Sequence, residues 1–111
     1  NSAELEPEMK PDLDKLMDFL LDHPDMKLKI SGHTDARGDS VLNYKLSQAR
    51  ADAIKDYIME KGKIRQSRIS AKGYGSNQPL IKDPENAQER SVNRRVEFKL
   101  LENKSKNVTN R

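Results

Sequence analysis

The chain has 111 residues, of which 35% are charged and 33% apolar, so length and composition predict one compact domain with a small core. It contains no cysteine, which excludes thiol catalysis, cysteine-based zinc sites and disulfides. No apolar run approaches the roughly 18 residues of a membrane span. Residues 1–40 carry 5 basic and 10 acidic side chains, whereas residues 41–111 carry 16 and 8. A basic half can bind phosphates, but no aromatic residues alternate with the basic ones, so no nucleic-acid partner is expected.

The first predicted element is a helix over residues 9–22. Pro11 suits its first turn, and His23 before Pro24 ends it, because the residue before a proline is pushed out of the helical region. Its apolar residues recur at steps of three and four: Met9, Leu13, Leu16, Met17 and Leu20. A short strand follows at 27–31, since Leu28 and Ile30 alternate with lysines.

A second helix is predicted from about Ser40 to Lys61, with Gly62 as its left-handed cap. Its apolar stripe consists of Leu42, Leu46, Ala49, Ala53, Ile54, Tyr57 and Ile58. Residues 68–72 alternate again and form the next predicted strand, and the polar stretch 76–92 is predicted as a long loop. The last strand covers 93–101.

This order predicts an α+β fold, a two-layer α/β sandwich in which two main helices cover one face of a small mixed sheet. Three strands make a thin sheet, and the chain begins without an initiator methionine. We therefore expect a further strand before Asn1, truncated here. The predicted domain covers residues 1–101, and residues 102–111 form a polar tail.

Polar residues are most concentrated between Gly32 and Arg50. If the second helix begins near Ser40, then Asn43, Ser47 and Arg50 share one side of it, next to the loop that carries Asp35. Leu46 lies between them as an apolar floor.

Arg94 has the same strand parity as the apolar residues Val96, Phe98 and Leu100, so it is predicted to face the helix layer and to need a carboxylate partner. In the structural interpretation, Asp35 pairs with Arg50 or Arg94 and pins the loop, and spacing alone favours this. In the functional interpretation, Asp35 binds a ligand ammonium while an arginine binds a ligand carboxylate.

Other chemistries are not supported. His23 and His33 are the only histidines, and a catalytic zinc needs three protein ligands. The chain has no nucleophile elbow, and no Walker-type Lys follows Gly73 and Gly75. We therefore predict no enzyme, no metal and no cofactor.

Several motifs together resemble the C-terminal domains of the OmpA type, which include Pal lipoproteins and MotB-type anchors. They are residues 30–38 (ISGHTDARG), Asn43, 46–51 (LSQARA), 73–75 (GYG) and 93–97 (NRRVE). The match covers about residues 30–98, and the first helix extends it to the start. The resemblance implies non-covalent binding of peptidoglycan in the bacterial periplasm, by a domain of a larger outer-membrane or envelope protein.

The resemblance also assigns roles. It implies that Asp35 and Arg50 hold the diaminopimelate of the stem peptide, a zwitterion at its free end. Two further family positions fall on Asn43 and Arg94, and contacts around Thr34, Ala36 and Leu46 would complete the pocket. We expect Asp35→Ala and Arg50→Ala each to nearly abolish binding with little change in melting midpoint.

The alternative is a periplasmic protein-interaction module that uses the same fold without binding murein. Its partners would be envelope proteins or a second copy of the chain. Such a surface would lie on the 76–92 loop or on the basic cluster Lys61, Lys63, Arg65 and Arg68.

Overall fold

A computed structural model of the protein describes residues 5–102. Its helices are α1 (Lys10–Asp22), α2 (Ser40–Gly62) and α3 (Ala87–Asn93), and its strands are β1 (Met26–Gly32), β2 (Ile69–Gly73) and β3 (Val96–Glu102). Single 3₁₀ turns precede α1 and β2, at Pro7–Met9 and Gln66–Arg68. The sheet has the order β2-β1-β3, with β1 parallel to β2 and antiparallel to β3. The predicted α+β sandwich with a mixed sheet is confirmed.

The core lies between the sheet and the two long helices. α2 packs on β1 and β2, and α1 packs on α2 and β1. Because successive strand residues face opposite sides, Leu28 and Ile30 enter this layer while their lysine neighbours do not. The buried apolar residues are Leu13, Met17, Leu20, Leu28, Ile30, Ala51, Ile54, Ile58, Ile64 and Ile69.

α2 approaches the sheet closely where β1 and β2 end in glycines. A Cβ on Gly32 would lie 2.5 Å from the backbone oxygen of Ser47, and one on Gly73 would overlap the backbone of Gln48. The Gln48 side chain accepts a hydrogen bond from the Gly73 amide (2.9 Å) and donates to the Ala71 carbonyl (3.1 Å). These contacts set the position of α2 relative to the ends of the strands.

Two details near the ends of the long helices differ from the prediction. Arg68 does not extend the basic surface predicted for residues 61–68, because its guanidinium donates to the carbonyls of Leu20 and His23 at the end of α1 and of Met26 at the start of β1. Gly62 is not the left-handed cap of α2 either. Lys63 adopts that conformation (φ 53°), while Gly62 stays helical where a Cβ would lie 2.7 Å from the Met17 side chain.

The predicted 76–92 loop contains a helix at its end. α3 begins after Asn86, whose side chain accepts a hydrogen bond from the Glu89 amide, and it ends at Asn93. The last strand therefore starts at Val96 instead of residue 93. α3 has 7 residues, too few for apolar periodicity to appear in the sequence.

β3 lies partly beyond the helix layer. Phe98 and Leu100 pair with Ile30 and Leu28 and so face the same side, as predicted, yet they remain 37% and 36% exposed. β3 also continues through Glu102, the first residue of the predicted tail. Residues 1–4, before which the further strand is expected, and residues 103–111 of the predicted tail lie outside the described part. Within residues 5–102, no helix combines the length and apolar character needed to cross a bilayer.

A charged cleft at the end of the central strand

A cleft of about 860 Å³ opens between the β1–α2 loop, the first half of α2 and Arg94, which lies two residues before the start of β3. It is lined by Thr34, Asp35, Arg37, Gly38, Asp39, Leu42, Asn43, Leu46, Arg50 and Arg94. Six of the seven residues assigned through the resemblance are among these. The seventh, Ala36, is exposed and does not line the cleft.

The backbone of the loop is held from two sides. His33 exchanges backbone hydrogen bonds with Arg95 (2.8 and 3.2 Å), and the Thr34 amide donates to the Gly75 carbonyl (2.8 Å). These bonds extend the β1 ladders by one residue on each side. The segment that carries Asp35 is therefore fixed to β3 and to the end of β2.

The start of α2 closes the loop. The Asp39 carboxylate caps the helix by accepting from the amides of Val41 (2.7 Å) and Leu42 (3.1 Å). The Asn43 amide group donates to the carbonyls of Asp35 (3.3 Å) and Arg37 (2.9 Å). Asn43 thus ties α2 to the loop, which makes it a positioning residue for Asp35.

Asp35 is the buried charge of the cleft, with 7% of the residue exposed. Its carboxylate accepts from Arg94 Nη1 at 2.7 Å and from the Arg37 amide at 2.9 Å. Burial alone would favour the neutral acid, but the Arg94 and Arg37 hydrogen bonds and charges outweigh it and lower the pKa of Asp35 below its usual 3.8. The carboxylate is therefore ionised at neutral pH.

Arg94 and Arg50 contact the cleft in different ways. Arg94 has the carboxylate partner that was predicted for it, and it lines the cleft together with residues of α2. It lies between α3 and β3, outside the strand, with a side chain that is 39% exposed and paired with Asp35. Arg50 is half-buried and lines the same cleft from α2. The structural interpretation thus holds for Arg94, and it leaves the ligand interpretation open for Arg50.

Thr34 carries a buried polar atom next to the cleft. Within the described chain its hydroxyl oxygen Oγ1 has no hydrogen-bond partner, although the residue is only 4% exposed. Buried hydroxyls are nearly always hydrogen-bonded. Thr34 lines the cleft beside Asp35.

Ser47 and Leu42 differ from their predicted places. Ser47 is fully buried, accepts from the Gly75 amide and donates to the Tyr44 carbonyl, so it does not share the cleft with Arg50. Leu42 is not part of the buried stripe, since it is 64% exposed and forms an apolar wall of the cleft. The sequence signal for a place in the cleft was that Leu42 lies one residue before Asn43, in the first turn of α2.

His33 is buried at the start of the loop that carries Asp35. It is 2% exposed and stacks on Tyr74 at 5.4 Å, while Nε2 lies 3.8 Å from a carboxylate oxygen of Glu97. Burial, together with the charge of Arg95, lowers the pKa of His33 below its usual 6.5, against the opposing effect of Glu97. Across residues 5–102, no three His, Asp or Glu side chains lie close enough together to bind a metal ion.

The fold and cleft define a small α+β domain in which opposite charges line one opening. The sequence profile of the OmpA family matches residues 1–94, and the chain belongs to that family. It is 41% identical over 95 residues to outer membrane porin F of Pseudomonas fluorescens, covering 84% of this chain and 28% of the porin. It is 36% identical over 80 residues to the peptidoglycan-associated lipoprotein of Buchnera aphidicola, covering 72% of this chain and 46% of the lipoprotein. The chain thus spans less than half the length of both relatives.

Two solved structures show the same fold. The peptidoglycan-associated lipoprotein from Burkholderia pseudomallei superimposes with a TM-score of 0.83, covering 91% of this chain and 84% of that one at 24% identity. The cell wall anchor of the type VI secretion system from Pseudomonas aeruginosa gives a TM-score of 0.75, with 91% and 71% coverage at 30% identity.

Proposed function

We propose that this domain binds peptidoglycan non-covalently and anchors an envelope protein to the cell wall, at the periplasmic side of the outer membrane. The names of its relatives support the general role, since they include a peptidoglycan-associated lipoprotein and a cell wall anchor. The role is one of binding without catalysis. A tether of this kind can be weak at each site, because many copies along one murein sheet raise the effective concentration.

We further propose that the recognised group is the free end of diaminopimelate in the stem peptide. One observation carries this proposal: the buried, ionised Asp35 and the arginines Arg50 and Arg94 line the same cleft. A zwitterion needs an acceptor for its ammonium and a planar donor for its carboxylate. Asp35 keeps further lone pairs for an ammonium after accepting from Arg94 and Arg37, and Arg50 supplies the donor.

The remaining cleft residues complete this recognition. The Thr34 hydroxyl would bind a polar atom of the stem peptide, and Leu42 and Leu46 would contact its methylene groups. A stem peptide with lysine at the third position lacks the extra carboxylate. It should bind more weakly, because Arg50 then loses its ligand partner.

Calorimetric and NMR titration with a diaminopimelate muropeptide tests this function, with the lysine analogue as the matched ligand. Arg50→Lys keeps the charge but loses the planar fork, and we expect it to weaken binding at least tenfold. Exposed Arg65→Lys is the control variant. Folding of each variant is checked by circular dichroism. Equal affinity for both muropeptides, or an unaffected Arg50→Lys, would refute the assignment.

A protein-interaction role is the second candidate. The segment before and within α3 exposes Leu80 (62%) and Val92 (43%), close to where the sequence placed such a surface. Binding of an envelope protein that survives Asp35→Asn and is lost in Leu80→Ser would favour this role over murein binding.

A further inference from the structure

The sheet has a second face that neither long helix covers. Leu28 and Ile30 point into the helix layer, so the alternate residues of β1 point to the opposite side, here called the open face. Strand pairing places the neighbouring side chains of β2 and β3 on the same side. Its lysines are Lys27, Lys29, Lys72 and Lys99.

Two of these lysines lie directly opposite each other. Lys29 pairs with Lys99 across β1 and β3, a position where Cβ atoms are about 5 Å apart and like charges destabilise a sheet. Among the ion pairs of residues 5–102, none involves the four lysines of the open face. The acid on this face, Glu97, is already bound by Arg95 at 2.6 Å. The positive charge of the open face is therefore not compensated within the described chain.

The lysines converge around an aromatic ring. The ammonium groups of Lys29 and Lys72 lie 5.9 and 5.2 Å from the centre of the Tyr74 ring. A shallow depression of about 390 Å³ lies here, lined by Lys29, Ser31, Gln78 and Lys99 together with Tyr74, Phe98 and the acidic Glu97. Ammonium, hydroxyl and amide groups are all donors to an anion.

The shape of the open face indicates the kind of anionic partner. Two of the lysines line the depression, and the four together project from three adjacent strands of one sheet, so a broad partner can meet all of them at once. Leu101, 39% exposed, lies opposite Lys27 on the same face, and Tyr74 is half-buried there. A flat surface of lysines with an aliphatic and a tyrosine side chain among them is suited to the interface of an anionic bilayer.

We propose that the open face docks on a membrane surface of anionic phospholipid headgroups, through Lys27, Lys29, Lys72 and Lys99. Headgroup phosphates neutralise the Lys29–Lys99 repulsion, and Leu101 contacts the interface. The face is separate from the residues of the cleft, which lie in the β1–α2 loop, on α2 and at Arg94. A membrane and a cleft ligand can thus be bound together.

Vesicle sedimentation tests the docking. The vesicles contain 30% phosphatidylglycerol in phosphatidylcholine or phosphatidylcholine alone. We expect binding to the anionic vesicles that falls with added salt, and none to the neutral ones. Each lysine near an anionic surface changes partitioning about fivefold, so Lys29→Gln with Lys99→Gln should weaken it about 25-fold. The matched control removes two exposed lysines elsewhere, Lys15→Gln with Lys82→Gln.

Three results would overturn the proposal. The first is an equal weakening of vesicle binding in both double variants. The second is tighter binding to duplex DNA than to vesicles. The third is saturation of the Tyr74 resonances by inorganic phosphate alone, which would indicate a small-anion site. Muropeptide affinity is measured in parallel. It should not change in the Lys29 and Lys99 double variant, so failure of docking and failure of murein binding remain distinguishable.

Discussion

Replacement of Asp35 by Asn separates the charge of this side chain from its shape. The amide oxygen can still accept from the Arg37 amide, but the nitrogen that replaces the second carboxylate oxygen cannot accept from Arg94 Nη1, so the 2.7 Å hydrogen bond is lost. A hydrogen bond between charged groups contributes about 1.5–3 kcal/mol, and a neutral one about 0.5–1.5. Because the Arg94 side chain is 39% exposed, water compensates part of the loss, and we expect a destabilisation of about 1 kcal/mol. This corresponds to a melting midpoint lower by about 4–8 °C in a domain of this size.

The lowered pKa of Asp35 determines how the stability of the domain changes with pH. The pKa of Asp35 is lower in the folded chain than its usual 3.8, so the stabilisation is complete well above pH 3.8 and is lost as the pH falls through the folded value. Urea denaturation followed by circular dichroism should therefore show the protein more stable than Asp35→Asn at pH 7, with the difference closing towards pH 2.

Exposed Asp83→Asn is the control and should show no such difference. A double-mutant cycle with Arg94→Gln should return a coupling of about 1 kcal/mol. A difference that does not depend on pH, or no coupling, would show that the ion pair does not stabilise the loop. The ion pair also revises the expectation of an unchanged melting midpoint, because Asp35 has a structural partner as well as a proposed ligand.

Three further predictions test the fold around the cleft. The pKa of His33 is lowered, chiefly by burial, so stability should fall as the pH drops below about 6.5, and a pKa measured by NMR above 6.5 would contradict this. Gly73→Ala places a methyl group against the backbone of α2 and should destabilise the fold by more than about 2 kcal/mol. Gly62→Ala is the matched control, because its methyl group meets only flexible side-chain ends. Similar urea midpoints for the two variants would disprove the close approach of α2 to the sheet. The Asn93 side chain accepts hydrogen bonds from the amides of Leu80 and Ile81 and donates one to the Ile81 carbonyl. Asn93→Ala should therefore lower the stability measured by urea denaturation by about 2–3 kcal/mol and speed proteolysis of the 76–86 loop. Unchanged proteolysis would show that Asn93 does not anchor this loop.

Local patterns were sufficient for the long elements. The steps of three and four in α1 and α2, and the alternation around Leu28 and Ile30, predicted these elements to within a residue or two of their ends. Such periodicities reflect which side of an element is buried, and this is written in neighbouring residues. α3 was missed because its 7 residues show no stripe and its start depends on the side chain of Asn86.

The site was predictable as a set of residues but not as a network. The motifs placed Asp35, Asn43, Arg50 and Arg94 near one another, and all four line the cleft. The hydrogen-bond partners of these residues could not be predicted. Asn43 turned out to bond the loop carbonyls, and the choice between the two arginines as partner of Asp35 could not be made from spacing.

What sequence alone determined is the elements with regular apolar spacing, the α+β class and the family motifs. The tertiary structure decided that Arg94 is the residue bonded to Asp35, 59 positions away in the chain, and that Gly73 lets α2 close on the sheet. It also brought Lys29 opposite Lys99, from strands that are distant in sequence. The reason is physical: charge pairing and close packing depend on distances between segments, and these distances exist only once the sheet has aligned β1 with β2 and β3.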